Sequence, residues 1–165
     1  MTETAKRLGV PLNTLHDEAT RLLDAGLLTS RSVGRSRLLS ANPAHPGTRA
    51  LTELLEISFG PRPVIEREFA DLKGAERVII FGSWAARYQG TTGAPPHDID
   101  VLVVGQVDRA EVYEASDRAQ ERIGMQVNPV IRTGQMWSEG TDPLVSQIQA
   151  SPFVEVLSAG DGEAA

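Results

Sequence analysis

The sequence predicts a mixed protein of the α/β (α+β) class, with a helical N-terminal part and a C-terminal part in which strands alternate with helices. In the C-terminal part, the apolar runs Val78–Phe81 and Val101–Val104 are bounded by turn residues, which is typical of buried strands. In the N-terminal part, apolar residues recur at helical spacing, namely Leu12, Leu15, Ala19, Leu22 and Leu23. We place the parts at residues 1–43, a helical linker at 44–73, and the rest at 74–165.

Composition and charge exclude several classes of protein. With 165 residues, 41% of them hydrophobic and 23% charged, the chain has the composition of a globular protein. It has no cysteine, which excludes disulfides, thiol catalysis and cysteine–zinc sites. No apolar run approaches the roughly 20 residues of a membrane span, and no signal peptide is visible. We therefore expect a cytoplasmic protein.

The net charge of −6 is unevenly distributed along the chain. Residues 1–50 carry seven Lys and Arg against four Asp and Glu, whereas residues 51–165 carry nine against eighteen. A small basic part joined to an acidic part indicates that the two parts have different functions. The basic part would contact nucleic acid.

Two carboxylates, Asp98 and Asp100, open the second of the apolar strands. Alternate side chains of a strand point to the same face, so both carboxylates share a face while Ile99 points to the core. Close carboxylates repel each other unless a cation or hydrogen bonds hold them. Mg²⁺ takes oxygen ligands from one or two carboxylates and completes its shell with substrate phosphates. We expect Asp98 and Asp100 to bind Mg²⁺ or Mn²⁺.

Gly82 and Ser83 follow the first apolar strand and begin a short helix. Glycine has no Cβ and lets a phosphate approach the backbone, and the free N–H groups at a helix start favour an anion. The segment therefore combines a phosphate site with a metal site on neighbouring strands, which is an arrangement suited to phosphoryl transfer.

A strand followed by Gly82-Ser83, then Arg87, then Asp98-Ile99-Asp100 resembles the nucleotidyltransferase family of the DNA polymerase β type, in particular its minimal members. The resemblance implies a small mixed β-sheet flanked by helices. It also implies that Gly82, Ser83 and Arg87 bind a nucleoside triphosphate (NTP), and that Asp98 and Asp100 are catalytic metal ligands. The alternative is a βαβ unit with a glycine turn and two solvated aspartates.

The third strand, Gln126–Arg132, departs from that family. Active members carry a third carboxylate here, and the matching residue is Asn128. Asparagine is neutral and cannot take a proton from an attacking hydroxyl, and two-metal catalysis needs enough ligands for both ions. We therefore expect nucleotide binding to survive and turnover to be impaired. Pro129 has no N–H to donate, which predicts a strand at the sheet edge.

The first forty residues predict two helices and a hairpin. The first helix, Thr2–Leu8, ends at Gly9, Pro11 suits the first turn of the second helix, and Gly34 marks the hairpin tip. This pattern resembles winged helix-turn-helix regulators of the ArsR and MarR type. In that resemblance Leu12–Ala25 is the recognition helix. Its exposed residues for base edges are Asn13, Thr14, His16 and Thr20, and the wing residues for phosphates or the minor groove are Arg31, Arg35 and Arg37.

Two alternatives remain open for this part. Asp17, Glu18 and Asp24 weaken attraction to DNA, so the part could instead be a protein–protein module. Such domains usually have a further helix ahead of the one at Thr2, so we expect either a trimmed domain or a dimer contact from another segment. The amphipathic segment Thr48–Ser58 is a candidate for the surface of a homodimer, and packing against the second domain is the alternative.

Two functions from different classes follow. The first is a DNA-binding transcriptional regulator whose nucleotidyltransferase-like domain binds a nucleotide and Mg²⁺. The second is an active nucleotidyltransferase that moves a nucleotidyl group from an NTP to a protein, RNA or small molecule. Small proteins of this fold also occur as toxin–antitoxin components, which implies a partner protein encoded nearby. The presence of Asn128 in place of the third carboxylate favours the first function.

Overall fold

The structure, a computed structural model, describes residues 2–34 and 36–158 and has an α+β fold, as the sequence predicts. The chain divides into two compact units, residues 1–55 and 56–165. In the described ranges, no helix is long and apolar enough to cross a membrane. The described elements are, in order, α1 Thr2–Leu8, α2 Leu12–Asp24, β1 Leu28–Val33, β2 Ser36–Ala41, α3 Thr48–Phe59, α4 Pro61–Phe69, β3 Ala75–Phe81, α5 Gly82–Tyr88, β4 Asp98–Gly105, α6 Arg109–Ile123, β5 Gln126–Arg132, α7 Gly134–Glu139, α8 Pro143–Gln149 and β6 Val154–Ser158.

The N-terminal unit contains α1, α2 and an antiparallel hairpin. Strands β1 and β2 pair from Leu28 opposite Ala41 to Val33 opposite Ser36, and Gly34 at the tip has a φ of +58°. Glycine adopts this left-handed conformation without the steric cost that a side chain brings. The helices and the hairpin therefore lie where the sequence predicts them.

The apolar stripe expected on α2 is only partly buried. Ala19 is buried and Leu15 and Leu23 are half-buried, but Leu12 is 46% and Leu22 is 38% exposed. The prediction that all five form one buried stripe is thus wrong for Leu12 and Leu22. The reason is that α1 and one face of a short hairpin are too small to cover the whole apolar face of a 13-residue helix.

Helix α3 follows a loop whose side chains are hydrogen-bonded to the backbone. The Asn42 side chain donates to the Gly26 carbonyl at 2.7 Å, and the Thr48 hydroxyl donates to the Asn42 carbonyl at 2.7 Å. No side chain of α3 is buried. Its exposed apolar residues are Leu51, Leu54, Leu55, Ile57 and Phe59.

The C-terminal unit is built on a four-stranded mixed sheet in the order β5-β4-β3-β6. Strand β3 is antiparallel to β4 and to β6, whereas β4 and β5 are parallel. Strand β5 lies at an edge, as Pro129 predicts. Its neighbour β4 is buried from Val101 to Gly105, because helices cover both faces of the sheet at that point.

The two faces of the sheet carry separate apolar clusters. Ile99, Val101 and Val103 pack in the first cluster, with side chains of α4, α5 and α6. Leu102 and Val104 pack in the second, with side chains of α7 and α8. This alternation follows from the period of two along a strand. It places the even-numbered residues of β4, among them Asp98 and Asp100, on the face of the second cluster.

Helix α4 belongs to the core of the C-terminal unit. The sequence places it in a linker, but Ile65 and Phe69 are fully buried in the first apolar cluster. Glu68, on the same helix, forms ion pairs with Arg118 at 3.1 Å and Arg122 at 2.7 Å on α6. The linker in the structure therefore ends before α4.

A pair of phenylalanine variants tests the position of α4. Phe69→Ala removes a fully buried ring and should lower the free energy of unfolding by about 3–5 kcal/mol. Phe59→Ala is the matched control, because that ring is 75% exposed and its removal should cost less than about 0.5 kcal/mol. Urea denaturation followed by circular dichroism measures both. Equal effects would place α4 outside the core.

Candidate functional site

The two carboxylates lie at the start of β4, on one face of the sheet. Ile99 between them is fully buried, which fixes both neighbours on the opposite face. Asp100 is the cross-strand partner of Phe81 on β3 and of Asn128 on β5. Directly paired residues share a face, so Asp100 stands between Phe81 and Asn128 in one row across three strands.

The Asn128 side chain bridges the two carboxylates. Its Nδ2 donates to Asp98 Oδ2 at 3.1 Å and to Asp100 Oδ1 at 3.2 Å. An ionised carboxylate only accepts hydrogen bonds, so the amide turns its N–H groups toward both. The sequence identified Asn128 as a missing carboxylate but not as this donor, because only the parallel register of β4 and β5 reveals the contact.

The carboxyl group of Asp100 is less easily ionised than an ordinary aspartate. Burial raises the pKa of Asp100, the nearby charge of Asp98 raises it further, and the hydrogen bond from Asn128 partly offsets both. A cation between the two carboxylates would relieve the repulsion and compensate the lost solvation. The amide of Asn128 provides only partial positive charge at that place.

Gly82 allows the Asp100 carboxylate to lie against the backbone at the start of α5. Its φ is +75°, and a Cβ at this position would lie 2.5 Å from Asp100 Oδ2. The sequence predicts that this space admits a phosphate. In the structure the Asp100 carboxylate lies where a side chain at Gly82 would be. The glycine is therefore needed to make room for this carboxylate.

Ser83 and Arg87 are both exposed on α5, one helical turn apart. The Arg87 guanidinium donates through Nη1 to the Thr91 carbonyl at 3.2 Å. The next two residues after Ser83, Trp84 and Ala85, are buried and fix the helix on the sheet. The hydroxyl and the guanidinium are thus accessible on a helix that begins next to Asp100.

The described residues contain no group of three or more His, Cys, Asp or Glu placed to hold a metal ion. Asp142, beyond β5, caps α8 and pairs with Arg132 at 2.9 Å. The backbone N–H of Val145, together with Arg132, holds the pKa of Asp142 below its ordinary value. The donor set of two carboxylates and one amide fits a single hard cation better than a pair of cations.

The residues expected to read DNA bases are all exposed on α2. These are Asn13, Thr14, His16 and Thr20. The Thr20 hydroxyl donates to the His16 carbonyl at 2.9 Å, within the helix. Asp17 and Asp24 point to the same side as Thr20 by helical spacing, which places negative charge among these residues.

Two of the three arginines that the sequence predicts on a wing, Arg31 and Arg37, lie on opposite faces of the hairpin. Arg37 pairs with Ser32, and Arg31 pairs with Leu38. Because partners share a face and neighbours alternate, Arg31 and Arg37 point to opposite faces. Both are exposed. Arg35 lies outside the described residues.

Comparison with known proteins assigns no family to the chain. No family model matches the chain, and no curated protein matches it. Two chains of solved structures match. One of them is a crystal structure of "the toxin-antitoxin with AMP-PNP", with 17% sequence identity and a TM-score of 0.42, over 59% of this chain and 73% of that chain. A likeness at this level assigns neither a ligand nor a function to this chain.

Neutralising Asp100 should stabilise the protein. The folded chain binds the Asp100 proton more tightly than the unfolded chain, so the free energy of unfolding falls as pH rises above the ordinary pKa of 3.8 toward the raised one. Asp100→Asn removes this loss and should raise the melting temperature at pH 7 by roughly 1–3 °C. Below pH 3.5 the difference should vanish. A variant that melts lower than wild type at pH 7 would contradict the buried-charge interpretation.

Proposed function

We propose that the C-terminal unit binds an NTP with one Mg²⁺ or Mn²⁺ at Asp98 and Asp100 and does not transfer its nucleotidyl group. The observation that carries the proposal is the pair of hydrogen bonds from the Asn128 amide to both carboxylates. A donor set of two carboxylates and one neutral amide supports one cation and leaves the third carboxylate position without a base.

Each residue of the site has a distinct part in this binding. Asp98 and Asp100 supply anionic oxygens on one face, and Asn128 can present its Oδ1 to a cation in place of Nδ2. The accessible hydroxyl of Ser83 and guanidinium of Arg87 are donors for phosphate oxygens. When bound, the cation neutralises phosphate charge and orients the triphosphate.

We propose further that the N-terminal unit binds DNA and that the chain acts as a cytoplasmic transcriptional regulator. The excess of Lys and Arg in residues 1–50 and the exposed polar side chains of α2 support this. The exposed apolar face of α3 supports a homodimer, because Leu54 and Ile57 lie one helical turn apart and are both uncovered. A nucleotide bound in the C-terminal unit would then be the regulatory signal.

The second candidate function is an active nucleotidyltransferase, as part of a toxin–antitoxin pair with a partner protein encoded nearby. The observation in its favour is that Asp98 and Asp100 keep a common face beside the start of α5. Its acceptor would be a protein, an RNA or a small molecule.

Calorimetry and a transfer assay separate the two candidates. Each NTP should bind in Mg²⁺ but not in EDTA, and Asp98→Ala should weaken binding at least about tenfold. Wild-type protein should transfer no label from α-labelled NTPs to itself, to a neighbouring gene product or to bulk tRNA. Asn128→Asp restores an oxygen ligand and should keep or tighten cation binding. Transfer by the wild type that is lost in Asp98→Ala would establish the enzyme instead.

DNA binding should depend on salt through the wing arginines. Removing a phosphate contact should lower the slope of log K against log salt by about 0.9. We expect this for Arg31→Ala or for Arg37→Ala, since the two point to opposite faces and only one face meets the duplex. Arg109→Ala, which removes an exposed arginine of the C-terminal unit, is the control. Unchanged slopes in both wing variants would reject the wing as a DNA contact.

A further inference from the structure

Three aromatic side chains lie on the sheet face that carries the carboxylates. Phe81, Trp137 and Phe153 each pack against the second apolar cluster without being fully buried. The Trp137 and Phe153 rings meet edge to face, with centroids 6.1 Å apart and planes at 88°. We call these three side chains the aromatic rim.

The aromatic rim begins directly beside the metal site. Phe81 is the cross-strand partner of Asp100. Phe153 immediately precedes Val154, which pairs with Ile80 on the far side of β3. Neighbouring strands lie about 4.8 Å apart, so the row from Asp100 through Phe81 to Phe153 covers roughly 10 Å. In an NTP, the ribose and the α-phosphate separate the nucleobase from the β-phosphate by a distance of this order.

Side-chain amides hold the backbone at two of these residues. Gln89, at the end of α5, donates through Nε2 to the Phe153 carbonyl at 2.7 Å. Gln149 on α8 donates through Nε2 to the Trp137 carbonyl at 2.9 Å. The rings are therefore positioned before any ligand arrives, which lowers the entropy cost of binding.

We infer that the aromatic rim receives the nucleobase of the NTP whose phosphates lie at Asp98 and Asp100. This inference rests on the proposed function of the same site. Every base has a π face, and stacking on aromatic side chains contributes to affinity without reading the base edge. The rim would therefore favour purines, which have the larger ring, and would discriminate little between ATP and GTP.

An exposed aromatic residue on the other side of the sheet serves as the matched control. Tyr113 is 46% exposed and lies on α6. The neighbouring Val112 packs in the first apolar cluster, with Ile99. That cluster lies on the face opposite Asp98 and Asp100, so Tyr113 is the matched control.

The experiment compares ATP with inorganic tripolyphosphate in Mg²⁺. The chain has two tryptophans, so Trp84→Phe leaves Trp137 as the sole indole. ATP should change Trp137 fluorescence and tripolyphosphate should not, and ATP should bind at least about fivefold more tightly. Phe153→Leu should lower ATP affinity to that of tripolyphosphate without changing the latter. Tyr113→Leu should change neither affinity. Trp137→Phe, which keeps Trp84, should abolish the fluorescence response.

The outcomes distinguish the aromatic rim from the phosphate site. Equal affinities of ATP and tripolyphosphate would overturn the rim and leave the metal and phosphate site standing. A loss of ATP affinity in Tyr113→Leu with none in Phe153→Leu would have the same consequence. Failure of both ligands to bind in Mg²⁺ would overturn the rim and the proposed function together. Should Phe153→Leu not fold, the response of Trp137 to ATP but not to tripolyphosphate decides the question alone.

Discussion

Two like charges held side by side at a strand end are the constraint on which the site depends. The burial of Ile99 forces Asp98 and Asp100 onto one face, where the charge of Asp98 adds to the effect of burial in raising the pKa of Asp100. Asn128 donates one hydrogen bond to each carboxylate, and Gly82 has no side chain where the Asp100 carboxylate lies. Two fully exposed aspartates would repel each other less, so the arrangement does not by itself stabilise the fold.

Helices cover both faces of β4 beyond the two carboxylates, which keeps the strand in place despite the repulsion between them. From Val101 onward the strand is buried on both faces, so its register and the direction of its first residues are fixed by packing. Asp98 and Asp100 are half-buried and belong to neither apolar cluster. They are therefore the side chains of β4 that apolar packing does not use.

The two units differ in how much core they possess. The C-terminal unit buries whole rows of β-branched side chains on both sides of its sheet. In the described residues of the N-terminal unit, the buried apolar side chains are Ala5 and Ala19, while Leu12 and Leu22 stay exposed. Small units with so little buried area usually gain stability from a further surface.

The sequence by itself determined the elements and the residues that meet at the site. Turn residues and β-branched runs marked β3 and β4, the period of two put Asp98 and Asp100 on one face, and Pro129 marked an edge strand. These are local rules that need no knowledge of distant contacts. Only the tertiary structure decided that α4 belongs to the core, that Arg31 and Arg37 point apart, and that the Asn128 amide donates to both carboxylates. Each of these depends on the pairing register or the packing between two separate elements, which the pattern within one element does not encode.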